Sequence, residues 1–167
     1  MERSMARQST VVLVVMAALV CAAGVAWAAN AHFVGQVTAQ LVDNNAQVCW
    51  KEAGLGNNQN IDYTASADGT ATYVCVNNGG QCPNAANKIT VSGPVTATGT
   101  FNSGQNGQIT QCLTINPPSP GSFTCPSGQT LTLADVKFEN LGISDDTNGV
   151  TKDAAPVTLT ATLFVCP

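Results

Sequence analysis

Hydrophobic and polar residues alternate along the stretch 61–76, and this alternation is the clearest structural pattern in the chain. A period of two is typical of a strand with one buried and one exposed face. We interpret the stretch as two strands joined by the three-residue loop Ala67-Asp68-Gly69. This loop places Tyr63 opposite Tyr73 and keeps the apolar residues on one face, whereas a two-residue loop mixes the faces. Gly69 is then expected to adopt the left-handed conformation of a bulge.

Further strand-like segments lie on both sides of this predicted hairpin and are separated by turn residues and prolines. They cover residues 32–42, 47–52, 89–91, 95–101, 109–115, 130–133, 136–140 and 157–166. The segment 116–121 is not a central strand, because its prolines lack a backbone donor. We therefore predict an all-β fold, an antiparallel β-sandwich of about eight or nine short strands, with a small β-barrel as the alternative architecture.

The first residues have the three parts of a secretory signal peptide. Arg3 and Arg7 give a positive start, the apolar run 11–26 follows, and Ala26-Trp27-Ala28 offers small residues for cleavage. An uncleaved membrane anchor is the alternative, but it needs about 20 apolar residues and the run is shorter. We predict a signal peptide over residues 1–28 and a secreted, extracellular domain over residues 29–167.

The predicted mature chain is acidic and contains no arginine. Without Glu2, Arg3 and Arg7, four lysines remain against nine carboxylates, a net charge of −5. Arginine is the usual bidentate ligand of phosphate, and phosphate contacts dominate affinity for nucleic acids. An acidic protein is also repelled by an anionic membrane surface. We therefore predict no nucleic-acid partner and, after signal cleavage, no membrane partner.

Cysteine usage predicts three disulfides. An even number of cysteines in a secreted chain indicates a disulfide framework. A zinc site is the alternative, but the sequence contains no Cys-x-x-Cys motif of the kind that binds zinc. Our pairing hypothesis joins Cys112 to Cys125 across the proline-rich loop and Cys75 to Cys82 across a turn. It also joins Cys49 to Cys166, because both fall on the outward phase of their strands. The six cysteines are Cys49, Cys75, Cys82, Cys112, Cys125 and Cys166. No cofactor is predicted.

Residues suited to catalysis are few. His32 is the single histidine and no nucleophile motif accompanies it, so an exposed position at a strand edge is the simpler interpretation. Asp62 and Glu139 are the candidate carboxylate pair of a glycoside hydrolase, although acids on a solvated strand face explain them equally well. We predict that the protein is not an enzyme.

The segment 145–153 carries oxygen ligands of the kind that calcium prefers, which are Asp145, Asp146, Asn148 and Asp153. The register of an EF-hand does not fit these positions. Because aspartate, asparagine and glycine are also the ordinary residues of tight turns, we interpret 145–149 as a turn and keep calcium as the alternative.

Threonine recurs at alternate positions of several predicted strands, as in 96–100 and 158–162. A flat outward array of threonines could bind ice or a crystalline polysaccharide, but threonine is also a good strand former that tolerates water. Sugar binding by stacking needs an aromatic ring at the surface. Trp50 is the candidate for that role, because Tyr63 and Tyr73 are predicted to point inward.

Three stretches carry a resemblance to known proteins. The sequence TATYVCVNNGG at 70–80, NAANK at 84–88 and PPSPG at 117–121 resemble small secreted bacterial proteins that have no assigned function. These are turn and strand residues, so the resemblance implies export and no activity.

These patterns favour a protein that works through its surface. We predict a secreted, non-catalytic β-sandwich that presents a binding or structural surface to an extracellular protein or polysaccharide. The alternative is a small extracellular carbohydrate-binding module or glycoside hydrolase.

Overall fold

The computed structural model describes residues 30–82 and 87–166, so the predicted signal peptide lies outside the described residues. Within these ranges the chain forms nine β-strands and no α-helix, which confirms the predicted all-β class. No helix capable of crossing a membrane occurs in the same ranges. The strands are β1 (His32–Phe33), β2 (Val37–Val42), β3 (Asn45–Ala53), β4 (Asn60–Asn77), β5 (Lys88–Asn102), β6 (Gln108–Ile115), β7 (Gln129–Asp145), β8 (Val150–Ala155) and β9 (Leu159–Thr162).

The strands form two layers joined by one parallel pairing. In the first layer, β3 pairs with β6 along one edge and with β1 and β2 along the other. In the second layer, β4 lies between β5 and β7, and the other edge of β7 pairs with β8 and β9. β8 also pairs in parallel with β2 through Val37 and Ala154, so the strands form a mixed sheet and not a purely antiparallel one. Among the described strands, β5 and β6 are not paired with each other, and the sheet does not close into a barrel.

Residues 60–77 form one continuous strand, β4, so the predicted hairpin is wrong. The residues assigned to its loop pair with β5 on one side and β7 on the other. Ala67 and Gly69 continue the inward-facing phase of the strand, and Gly69 is not left-handed. A Cβ at Gly69 would lie 2.9 Å from Pro118 and 3.0 Å from Val95. Glycine is therefore required here by close packing and not by a turn.

β5 and β7 are also longer than predicted. Ser92-Gly93-Pro94 and Ala134-Asp135 were expected to separate short strands, but β4 provides a partner on either side of each interruption. The result is that β4, β5 and β7, with 18, 15 and 17 residues, lie side by side in the second layer, with β4 in the middle. The last strand, by contrast, covers four residues of the predicted segment 157–166.

The hydrophobic core lies between the two layers. Tyr63, Phe138 and Val48 are among the fully buried side chains. Trp50 of the first layer packs against Tyr63 and Phe101 of the second, with ring centroids 4.7 and 5.8 Å away. Full burial of a large hydrophobic side chain contributes about 2 to 3 kcal/mol, and paired aromatic rings add to this. The aromatic contact therefore helps to fix how the layers stack.

The segment 116–128 packs against the inward-facing side of β4 and contains no strand, which agrees with the prediction for residues 116–121. The hydroxyl of Tyr73 donates a hydrogen bond to the backbone oxygen of Pro118 at 2.8 Å. Pro118 also packs beside Gly69, where a larger residue would have its Cβ, and Cys125 forms a disulfide with Cys75 of β4. This segment thus covers a part of β4 that would otherwise expose its apolar side.

Three disulfides are present, as predicted, but the predicted pairing is wrong. Cys49 bonds to Cys112, because the β3–β6 ladder places these residues directly opposite each other. Cys75 is fully buried on β4 and faces the segment that carries its partner Cys125. The remaining bond, Cys82–Cys166, ties the chain after β4 to the C-terminal segment. All three bonds bridge residues that are far apart in sequence, so local spacing was misleading.

Candidate functional site

The outer face of the second layer carries rows of hydroxyl groups, and we call it the outer threonine face. The rows arise because β4, β5, β7, β8 and β9 place alternate residues on this side and the registers align them. Threonine suits such positions, since its β-branched side chain favours strands and its hydroxyl favours water. The threonines of this face are Thr64, Thr70, Thr72, Thr90, Thr96, Thr98, Thr100, Thr151, Thr160 and Thr162.

Within each of two neighbouring rows, side chains on adjacent strands are hydrogen-bonded to each other. In one row, Thr72 and Thr90 are bonded at 3.0 Å, and Thr162 donates to Asp135 at 2.9 Å. In the next row, Thr70 bonds to Ser92 at 3.0 Å. Such cross-strand pairs restrict the side-chain rotamers, so the hydroxyls are held in fixed positions.

A shallow groove of about 280 Å³ lies between these two rows. Its polar lining includes the Asp135 carboxylate, the Lys137 ammonium and the hydroxyls of Thr70, Thr72, Thr160 and Thr162. Lys137 also forms an ion pair with Glu139 at 2.7 Å, and both side chains are nearly half exposed. The groove therefore offers hydrogen-bond donors and acceptors close together, which suits a ligand that carries hydroxyl groups.

The other end of this face holds Asp62 and Asp146. Asp62 accepts a hydrogen bond from Thr100 at 2.5 Å, and Asp146 accepts one from Thr64 at 2.6 Å. The backbone N–H of Asp146 also donates to the backbone oxygen of Asp62 at 2.9 Å. These contacts tie the turn after β7 to the start of β4.

The structure does not bring Asp62 and Glu139 together. Glu139 lies opposite Asp68 in the β4–β7 ladder, and Asp68 is six residues along β4 from Asp62. At about 3.3 Å per residue, this spacing is roughly 20 Å. The carboxyl groups of glycoside hydrolases are about 5 to 10 Å apart. The geometry does not support this pair as the two carboxylates of such an enzyme.

Three of the predicted calcium ligands, Asp145, Asp146 and Asn148, lie in one turn. The Asp145 carboxylate is already hydrogen-bonded to donors of this turn. Asp145 is fully buried and accepts hydrogen bonds from the backbone N–H groups of Thr147 and Asn148 at 2.9 and 2.8 Å. The side-chain amide of Asn148 donates to the same carboxylate at 2.6 Å. Asp153 lies apart from this turn, on β8. No cluster of three or more histidine, cysteine or acidic residues suited to a metal ion occurs in residues 30–82 and 87–166.

The other two candidates are His32 and Trp50. His32 is exposed on β1, as predicted, and its Nδ1 is hydrogen-bonded to the backbone oxygen of Asn30 at 2.7 Å. Trp50 is 3% exposed and belongs to the core. A ring that is buried and packed against Tyr63 and Phe101 cannot serve as an exposed stacking platform for a sugar, so the predicted role of Trp50 is wrong.

A buried polar group that no sequence motif predicts lies inside the core. Glu52 projects from β3 of the first layer and is fully buried. The hydroxyl of Tyr63 on β4 donates a hydrogen bond to its Oε2 at 2.6 Å. Asp145 at the end of β7 lies directly opposite Tyr63 in the β4–β7 ladder, and its charge acts on the Glu52 carboxyl group. Residues of both layers therefore meet here through polar side chains.

Burial controls the ionisation of this group. Removal from water raises the pKa of Glu52 from 4.5 to about 7, against the opposing effect of the Tyr63 hydrogen bond, and the nearby Asp145 raises it further. Burial and the contact with Glu52 also raise the pKa of Tyr63. Glu52 is thus a neutral acid at mildly acidic pH.

One sequence signal could have revealed Glu52. It continues the alternation of Ala46, Val48 and Trp50, so it occupies an inward-facing position of a strand. A charged residue in such a phase needs a buried partner, and Tyr63, predicted to point inward, needs one for its hydroxyl. The identity of the partners depends on tertiary structure.

Comparisons with known proteins add little to this geometry. The chain matches no protein-family model and no curated protein. Among solved structures, the chain matches the crystal structure of Spo0M, a sporulation control protein from Bacillus subtilis. The identity is 14%, the TM-score is 0.19, and the match covers 83% of this chain and 48% of Spo0M. The match therefore spans about half the length of Spo0M, and its low TM-score supports no inference about fold or function.

Proposed function

We propose that the chain is an exported, non-catalytic binding protein that uses the outer threonine face to hold an extracellular polysaccharide. The observation that carries the proposal is the groove between Asp135, Lys137 and the hydrogen-bonded threonine rows. Fixed hydroxyls, one carboxylate and one ammonium group can hydrogen-bond to a hydroxyl-rich polymer without reorganising. Export is supported by the N-terminal pattern of residues 1–28 and by three disulfides, which persist in oxidising compartments.

The long strands supply the rigid base that such a surface needs. β4, β5 and β7 are paired over most of their lengths, and the core and the segment 116–128 pack against their inner side. A repeating polymer is expected to bind along the rows and not in an enclosed cavity, because the groove is shallow and open. Sites built on strands also keep their geometry better than sites built on loops.

The test is retention of the purified protein on a panel of insoluble polysaccharides. Thr160→Arg places a long side chain in the groove and should weaken retention about tenfold or more, which corresponds to about 1.4 kcal/mol. Thr114→Arg, an exposed threonine on β6 of the other layer, is the matched control and should bind like the wild type. Equal retention of both variants, or retention of an extracellular protein and no polysaccharide, would contradict the proposal.

A further inference from the structure

The core contains two buried carboxyl groups with no cation between them. Glu52 reaches from the first layer to Tyr63 and Asp145 of the second, and both acids are fully buried. Two neighbouring buried negative charges would repel each other strongly in a medium of low polarity. A proton on one of the two carboxyl groups would remove this repulsion.

The hydrogen bonds indicate which group holds it. A carboxylate has about four acceptor sites, and Asp145 fills three of them with N–H donors from Thr147 and Asn148. Glu52 receives one hydrogen bond, from Tyr63, and its Oε1 is buried without a donor among the described residues. A proton on Glu52 would satisfy Oε1 as a donor and would fill the remaining acceptor site of Asp145.

Other titratable groups do not face this pair. Among the described residues, Tyr63 and Asp145 are the ionisable side chains that shift the pKa of Glu52. β6 carries no ionisable side chain apart from its disulfide-bonded cysteine. The carboxylates and the lysine of β4 and β7 other than Asp145 are not buried, and the Tyr73 hydroxyl is hydrogen-bonded to Pro118. The nearer groups have exposed or half-exposed side chains, and they are His32 on β1, Lys51 on β3, Asp62 on β4, Asp146 in the turn, and Lys152 and Asp153 on β8.

We propose that Glu52 and Asp145 share one proton across the core, and that this proton is a pH-sensitive clasp between the two layers. While the proton is present, Glu52 donates to Asp145 and accepts from Tyr63. When it is lost, two adjacent carboxylates face each other and the packing of β3 against the end of β7 is weakened. The clasp would make the domain most stable at mildly acidic pH and less stable at alkaline pH.

The direction of the pH dependence follows from proton linkage. The folded protein keeps a proton that the unfolded chain releases at its ordinary pKa of 4.5. The stability from this group is therefore complete below pH 4.5 and is lost as pH rises to about 7. The difference between these values corresponds to an increase of about 300-fold in the unfolding equilibrium constant, or about 3 to 4 kcal/mol at 1.4 kcal/mol per tenfold.

Glu52→Gln is the decisive variant, because its amide can accept from Tyr63 and donate to Asp145 without titrating. Urea unfolding of the disulfide-intact protein from pH 4 to pH 9 should show similar stability for wild type and variant at the acidic end. At the alkaline end the variant should be more stable, with an unfolding constant lower by up to about 300-fold. Glu139→Gln, on the surface, is the matched control and should follow the wild type.

A direct titration removes any dependence on the folding of the variant. Carbon-13 NMR of the side-chain carboxyl groups should show Glu52 of the wild-type protein titrating near pH 7. Titration of Glu52 near its ordinary value of 4.5 would overturn the proposal. An equal pH dependence of stability in wild type and Glu52→Gln would overturn it as well.

Discussion

Removal of the Cys75–Cys125 bond should weaken the protein in a way that depends on where the bond lies. The bond joins residues 50 positions apart, but the Cys49–Cys112 bond offers a shorter path between them. Through that bond the loop contains about 40 residues, for which the chain-entropy estimate is about 4 kcal/mol. The double variant Cys75→Ala/Cys125→Ala should therefore lose up to about 4 kcal/mol of unfolding free energy in urea titrations.

The matched control is Cys49→Ala/Cys112→Ala. The shorter path between Cys49 and Cys112 runs through the Cys75–Cys125 bond, and the loop has the same length as before. The loss of unfolding free energy from chain entropy should therefore be similar. The folded states should nevertheless differ. The β3–β6 ladder contains eight residue pairs and survives without its bond, whereas the segment 116–128 has no strand partner and depends on Cys125 and on the Tyr73 contact.

Limited proteolysis under native conditions separates the two variants. Loss of the Cys75–Cys125 bond should open the segment 116–128 to cleavage, and loss of the Cys49–Cys112 bond should leave it protected. The reasoning would be refuted if the first variant resisted protease as the wild type does. An unfolding free energy within about 1 kcal/mol of the wild type would refute it as well.

Three further substitutions test individual contacts. Gly69→Ala should destabilise the protein by about 1 to 3 kcal/mol in urea unfolding, because the added methyl group meets Pro118 at 2.9 Å, and an unchanged midpoint would contradict that packing. Phe138→Ala removes a fully buried ring and should lose about 3 to 5 kcal/mol in the same assay; a loss below about 1 kcal/mol would mean that the ring is not in the core. Tyr63→Phe deletes the hydrogen bond that favours the ionised form of Glu52, so the pKa of Glu52 in carbon-13 NMR should rise, and a fall would show that the hydroxyl stabilises the acid form instead.

The alternation of residues predicted strands well and strand ends poorly. From Ile61 to Ala71 the odd-numbered positions of β4 face inward, through the residues that were assigned to the loop, so the pattern itself is compatible with one long strand. Asp68-Gly69 suggested a turn because such pairs commonly form one. That local preference was overridden by β5 and β7, which supply backbone partners to both edges of β4.

The functional features depended even more on distant parts of the chain. The cysteines were identified as disulfide-bonded from their number, but their partners depend on strand pairing, as the opposed positions of Cys49 and Cys112 show. The threonine repeats were visible in the sequence, whereas the groove arises because β9 places Thr160 and Thr162 beside β7. Glu52 meets Asp145 for the same reason, since their strands lie in different layers.

The most direct test of a secreted sandwich braced by disulfides is a non-reducing peptide map of the protein recovered from the culture medium. The map should contain three linked peptide pairs, Cys49–Cys112, Cys75–Cys125 and Cys82–Cys166, and an N-terminus at Ala29. Free thiols at these positions, or a linked pair such as Cys112–Cys125, would contradict the fold on which the proposed surface and the buried clasp depend.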